Sequence, residues 1–174
     1  MHKVGGGNIN TRLKNVLSLV EETYKQEQER LKALNQKADN LTRYVSIFLV
    51  LLNIIVPMVV KYTNINFKFA FCAYIFVCFP SILSLVFAVK EQKLSKICRF
   101  PTGHKLLDMT KDKVNTDDDW LKFKIAQYDK AIDVLEENND SKVSDIRKGY
   151  NCYIFAIIML TIFTLIIIVL GYSK

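Results

Sequence analysis

The run Tyr44-VSIFLVLLNIIVPMVV-Lys61, followed by Tyr62-TNIN-Phe67 and then Phe69-AFCAYIFVCFPSILSLVFAV-Lys90, decides the fold. Each arm offers roughly 17–21 residues without a charged side chain, long enough to cross a hydrocarbon core as a helix. The link is so short that the second arm must return across the same bilayer. An unpaired backbone amide in lipid costs several kcal/mol, so both arms are predicted to be helical. The competing reading is a buried hairpin in a water-soluble protein. Such a core carries polar residues on some face, and these arms carry very few.

Composition points the same way. The chain is 51% hydrophobic and 24% charged, and the two sets are segregated along it. Its length allows one integral-membrane domain and no separate soluble one. The net charge of +7 suggests orientation and anionic lipid before nucleic acid. The four cysteines, Cys72, Cys78, Cys98 and Cys152, lie in or near spans, with neither metal-site spacing nor a disulfide framework. They read as reduced packing residues, and no metal or cofactor is expected. No signal peptide is expected either, because the first apolar run begins far from Met1 and lacks a cleavage site.

Before the hairpin, Gly5-Gly-Gly7 reads as a flexible start. Asn10 or Thr11 can cap a helix by accepting from the orphan N–H groups of its first turn. Val16, Val20, Tyr24, Leu31, Leu34, Ala38 and Leu41 then form an apolar stripe at steps of three, four and seven. Glu21, Glu22, Lys25, Glu27, Glu29, Arg30, Lys32 and Lys37 occupy the other face. No proline or glycine intervenes before Val45, so this helix is predicted to run straight into the first span. The stripe, with Leu31 and Leu34, serves either intramolecular packing or an oligomer seam.

Within the spans, Asn53 needs a partner, across helices or in a water-filled lumen. Ser46, Thr161 and Thr164 are the other polar candidates for a lumen, and equally for tying helices together. Pro57 should bend the last turns of the first span, and Pro80 frees a carbonyl that the hydroxyls of Ser81 and Ser84 can satisfy, giving a structural kink or, functionally, a gating hinge. A helical continuation follows in Lys90-EQKLSKIC-Arg99, and Phe100-Pro-Thr-Gly103 breaks it.

Thr116-Asp-Asp-Asp119 is a strong helix start, with three carboxylates at the positive end of the helix dipole. Consecutive aspartates point round a helix, which disfavours a metal or catalytic cluster. Leu121, Ile125, Tyr128, Ile132 and Leu135 make a second candidate seam at steps of four and three. Glu136-ENND-Ser141 reads as a turn, with Ser141 capping the next helix. That helix leads into a third span, Tyr150-NCYIFAIIMLTIFTLIIIVL-Gly171.

The expected fold is all-α: an integral membrane protein with three transmembrane helices extending into a cytoplasmic helical bundle. Residues 1–43 form an N-terminal cytoplasmic amphipathic helix, 44–89 the transmembrane hairpin, 90–149 a cytoplasmic helical region completed by a hairpin over Thr116–Gly149, and 150–174 the third span and a short outer tail. Nearly all Lys and Arg lie on the side holding the N-terminus, so the positive-inside rule makes that side cytoplasmic and puts the C-terminus outside. Tyr44, Tyr62, Phe67, Tyr150, Tyr153 and Tyr172 fall where interfacial aromatics belong.

One local pattern has an enzymatic reading, Arg99-Phe-Pro-Thr-Gly-His104. It resembles the R-x(4–6)-H motif of HEPN domains, all-helical modules often used as metal-independent RNases. There the cation balances phosphate charge and the imidazole exchanges a proton. In this chain Phe100 follows the arginine, and Pro101 and Gly103 break the helix, so the pair would be a divergent one and catalysis is not expected. The entry Leu34-Asn-Gln-Lys-Ala-Asp-Asn40 resembles the polar-x-Lys-Ala-Asn entry of Pycsar-type, SLATT-like transmembrane antiviral effectors, departing from it at Asn35 and Asp39.

Size, span layout and divergent motif together resemble the accessory membrane protein of type VI-B CRISPR loci. That resemblance implies a homo-oligomeric pore in the bacterial inner membrane that depolarises or permeabilises it and enhances RNA-guided interference against phage. Its implied partners are further copies of itself, the lipid bilayer and, functionally, an RNA-guided RNase. No basic patch interleaved with aromatics marks an RNA groove. Two other readings stand beside it: a membrane-tethered HEPN-type RNase, and a membrane scaffold or toxin-like protein restrained by a partner.

Overall fold

The computed structural model describes residues 6–63, 67–92 and 116–172, with side-chain packing described over 10–61, 68–90 and 116–169. The described residues form three helices: α1 over Gly6–Thr63, α2 over Phe67–Gln92 and α3 over Asp117–Tyr172. All three are long and apolar enough, in part of their length, to cross a membrane. The chain is all-helical there, as its apolar runs predict.

Two boundaries differ from expectation. First, α1 begins at Gly6, so Asn10 lies inside the helix. Its amide donates to Asp118 at 3.3 Å instead of capping. Second, α3 is one helix of 56 residues, with no turn at Glu136–Ser141 and no hairpin over Thr116–Gly149. Asn, Asp and Ser each lose only about half a kcal/mol against Ala in a helix. Neither proline nor glycine occurs between Asp117 and Lys148 to stop propagation. Thr116 does cap α3: its hydroxyl oxygen accepts from the Asp119 N–H at 3.2 Å and the hydroxyl donates to the Asp119 carboxylate at 2.7 Å.

The chain divides into two compact units. In the first, α1 residues 10–33 and α3 residues 117–140 are parallel partners. Asn10 meets Asp118, Tyr24 meets Tyr128 edge-on at 5.4 Å between ring centroids, and Arg30 meets Asp140 at 2.8 Å. The polar pairs keep a sequence separation of 108 to 112, the mark of two helices running in step. Ala131 and Leu135 are buried there.

The second unit holds residues 34–63 of α1, all of α2 and residues 141–172 of α3. Here α2 is antiparallel to the others. Its Ser84 donates to the Gly149 carbonyl, its Lys90 pairs with Asp145, and Phe69 meets Phe163. The inner faces carry small residues: Ala38, Ala88, Ala156, Ser81 and Ser84 are at most 1% exposed. Large apolar residues point outward, among them Ile47, Ile54, Phe76, Phe79, Phe155, Leu165 and Val169. Small residues of this kind let helix backbones approach closely.

Candidate functional site

The apolar layer of the second unit is closed. Leu52, Val77, Cys78 and Ala156 fill its middle, with Phe48, Tyr74 and Phe163 packed against them. Nearer the charged end, Leu41, Val45 and Ala88 form a further core that Tyr150 and Tyr153 cover. Among the described residues, these side chains leave no aqueous passage through this layer within a single chain.

Asn53, Thr161 and Thr164 make local hydrogen bonds. The Asn53 amide nitrogen donates to the Leu49 carbonyl at 2.8 Å, and its oxygen accepts from the Tyr74 hydroxyl at 2.8 Å. Asn53 thus ties α1 to α2, at the edge of a shallow pocket that Pro57 and Phe71 also line. Thr161 and Thr164 donate to the carbonyls of Ile157 and Leu160 in their own helix. Thr164 also borders a small apolar cavity of about 80 Å³ among the three helices. Ser46 is exposed, seven residues before Asn53 and so on its side of α1.

The hydroxyls near Pro80 go elsewhere than expected. Proline deprives the Phe76 carbonyl of its helical donor, yet Ser81 donates to Val77 at 2.8 Å and Ser84 crosses to Gly149 at 2.7 Å. Gly149 is what makes that crossing possible. A Cβ built there would lie 2.8 Å from Leu41 Cδ2 and 3.4 Å from the Ser84 carbonyl oxygen.

The candidate seams are at least partly covered within the single chain. Leu34 packs with Ala38, Ile146 and Tyr150. Leu135 is 1% exposed, while Leu31, Leu121, Ile125, Tyr128 and Ile132 are half-buried. Beside this seam lies a buried amide, Asn139, in the stretch expected to turn. Asn139 donates to the Glu27 carbonyl at 3.1 Å and to its carboxylate at 2.7 Å. Arg30 completes the cluster, and its guanidinium is held above its ordinary pKa, first by the Asp140 hydrogen bond. Tyr128 is pushed above the usual tyrosine value, mainly by burial and then by Glu21.

A second charged cluster went unseen in the sequence. Asp145 has a side chain only 6% exposed and receives both Lys90 of α2 and, at 3.2 Å, Lys148 of α3. Lys142, also buried, donates to Asn35 at 2.8 Å. The spacing Lys142-x-x-Asp145-x-x-Lys148 was visible as one helical face. Its partner from α2 was not, being 55 residues away along the chain.

Arg99 and His104, the candidate HEPN pair, lie outside the described residues, as do Cys98 and the break at Phe100–Gly103. Among the described residues no three His, Cys, Asp or Glu side chains gather as a metal site would require. No protein family, no curated protein and no solved structure matches the chain.

Proposed function

We propose that the chain is an integral membrane protein that self-associates into a pore and acts as an antiviral accessory, permeabilising or depolarising the inner membrane in support of an RNA-guided RNase. The observation that carries the membrane half is the inverted packing of the second unit, with Ser81, Ser84 and Ala156 inside and Phe76, Phe79 and Val169 outside. Exposed apolar surface on this scale suits hydrocarbon and not water.

The pore half rests on the closed core. With Leu52, Val77 and Ala156 filling the layer, water crosses only between copies, which means several protomers around an axis. Ser46, Asn53, Thr161 and Thr164 are all exposed and are the polar side chains that an assembly would turn toward its lumen. The basic side of the layer is assigned to the cytoplasm by the positive-inside rule, and the C-terminus to the outside. The phage-defence role comes from the resemblance of layout and of Arg99 and His104.

Reconstitution into liposomes tests the reading. The purified chain should form an oligomer in detergent and release a trapped dye or dissipate an ion gradient. A strictly monomeric protein that leaves vesicles tight would reject the pore, and recovery in the soluble fraction without detergent would reject the membrane assignment.

A further inference from the structure

An open groove of about 580 Å³ runs between α2 and α3 on the outer face of the second unit. Phe79 and Leu83 stand on one side of it, Phe155 and Met159 on the other, and the lining is almost wholly apolar. Two of its lining residues nevertheless offer hydrogen-bonding groups. One is Asn151, whose exposed amide makes no hydrogen bond among the described residues. The other is Phe76, whose carbonyl loses its helical donor to Pro80 and is served by neither Ser81 nor Ser84.

A stripe on α1 matches both. Ser46, Val50, Asn53 and Pro57 follow at steps of four, three and four, so they share one helix face, and all four are exposed. Ser46 makes no side-chain hydrogen bond among the described residues. Asn53 gives one amide proton to the Leu49 carbonyl, and a side-chain amide has two. The depths agree as well. Phe48 meets Tyr153 edge-on at 5.6 Å. Ser46 and Asn151 each stand two residues before that contact, and α1 and α3 are parallel, so they lie level. Leu52 and Val77 belong to one core. Asn53 follows Leu52, and Phe76 precedes Val77 in the antiparallel helix, so they too lie level, about 10 Å further along.

We infer that the α2–α3 groove receives the Ser46–Pro57 stripe of a second copy, with Ser46 against Asn151 and the second Asn53 amide proton on the Phe76 carbonyl. The inference rests on the proposed self-association in a membrane and names its seam. Copies related by an axis along the membrane normal keep each residue at its own depth, so groups that already lie level are the ones that pair. Hydrocarbon offers an amide or a freed carbonyl no other partner, and a lipid chain in the groove would leave all four groups unpaired. The stripe carries no long or aromatic side chain, so it fits between the Phe79 and Phe155 walls. Stripe and groove are different surfaces, which makes the contact head-to-tail, the kind that builds rings. Ser46 and Asn53 then flank the lumen at the seam, and Thr161 and Thr164 remain to line it.

Cross-linking of the whole 174-residue chain in detergent tests the seam. The background has Cys72, Cys98 and Cys152 replaced by serine. Ser46→Cys and Asn151→Cys chains, co-expressed with different tags, should give a mixed disulfide-linked dimer on mild oxidation, and neither should link to itself. Pro80→Ala returns a helical donor to Phe76, so it should strengthen α2 yet weaken assembly about threefold, the scale of one interhelical bond in a membrane. Asn53→Leu should weaken assembly by the same factor, and the two changes together no further. Tyr74→Phe, which breaks only the bond within the chain, should leave assembly as it was. Sedimentation in detergent reads all three. Self-linking of either cysteine variant overturns the seam, as does unweakened assembly in Pro80→Ala or a loss in Tyr74→Phe equal to that in Asn53→Leu. An oligomer without the mixed cross-link overturns the seam and leaves the pore proposal standing, whereas a chain that stays monomeric rejects both.

Discussion

Gly149 shows how tightly the second unit is fitted. The Ser84 hydroxyl reaches the Gly149 carbonyl at 2.7 Å, and Leu41, fully buried, fills the space where a side chain would go. Alanine in place of glycine gains up to about 1 kcal/mol in helix propensity, but overpacking a fitted core costs about 1–3 kcal/mol. Leu41 has no exposed direction in which to swing, so the second effect wins. Gly149→Ala is expected to lower stability in detergent by about 1 kcal/mol, and Gly149→Val by more. In a Leu41→Ala background the same change should cost less, and a thermal-aggregation double-mutant cycle reads that coupling. Tyr128 gives a prediction in pH. Its folded pKa is raised, so its contribution is complete below the ordinary tyrosine value of about 10 and is lost as pH rises through the raised value. Tyr128→Phe should flatten the alkaline limb of the stability curve, as followed by circular dichroism of the helices.

At the scale of the element, α3 carries the largest departure from the sequence reading. Asn138, Asn139, Asp140 and Ser141 look like a turn because their side chains compete with the helix backbone for hydrogen bonds. In the fold the Asn139 amide is committed to Glu27 of α1, 112 residues away, and Asp140 to Arg30. With those side chains engaged in tertiary bonds, the backbone is left to its own ladder. A continuous helix and a hairpin respond oppositely to proline. Asn138→Pro should cost about 3 kcal/mol or more and Asn138→Ala should stabilise slightly, whereas a hairpin would tolerate proline at a turn position. Chemical denaturation of the purified protein distinguishes them. Asn139→Ala should cost about 1–3 kcal/mol, because Glu27 loses a buried donor.

For the whole molecule, topology is the testable matter. In the second unit α1 and α3 are parallel, with Ala38 beside Ile146 and Phe48 beside Tyr153, and α2 returns between them in sequence. Parallel spans are entered from one side, so the charged stretches preceding each should share a compartment. If the proposed orientation holds, then in a background with Cys72, Cys98 and Cys152 replaced by Ser, Lys14→Cys and Lys122→Cys should both be labelled by an impermeant maleimide only after the inner face is opened. Labelling of either one from outside intact cells would overturn the orientation.

The three apolar runs and the cap at Thr116 could be read directly from the chain, because both are properties of contiguous residues: a span is a length without charge, and a cap is a hydroxyl next to the donor it serves. Asn53, too, could be singled out by its solitude among apolar neighbours. Its choice of Tyr74 could not, nor could the Asp145 cluster or the straight passage of α3 through Asn139. Those were decided only by tertiary structure, since each depends on which faces meet across 21 to 112 residues of sequence. Local propensities worth a few tenths of a kcal/mol yield to one buried hydrogen bond.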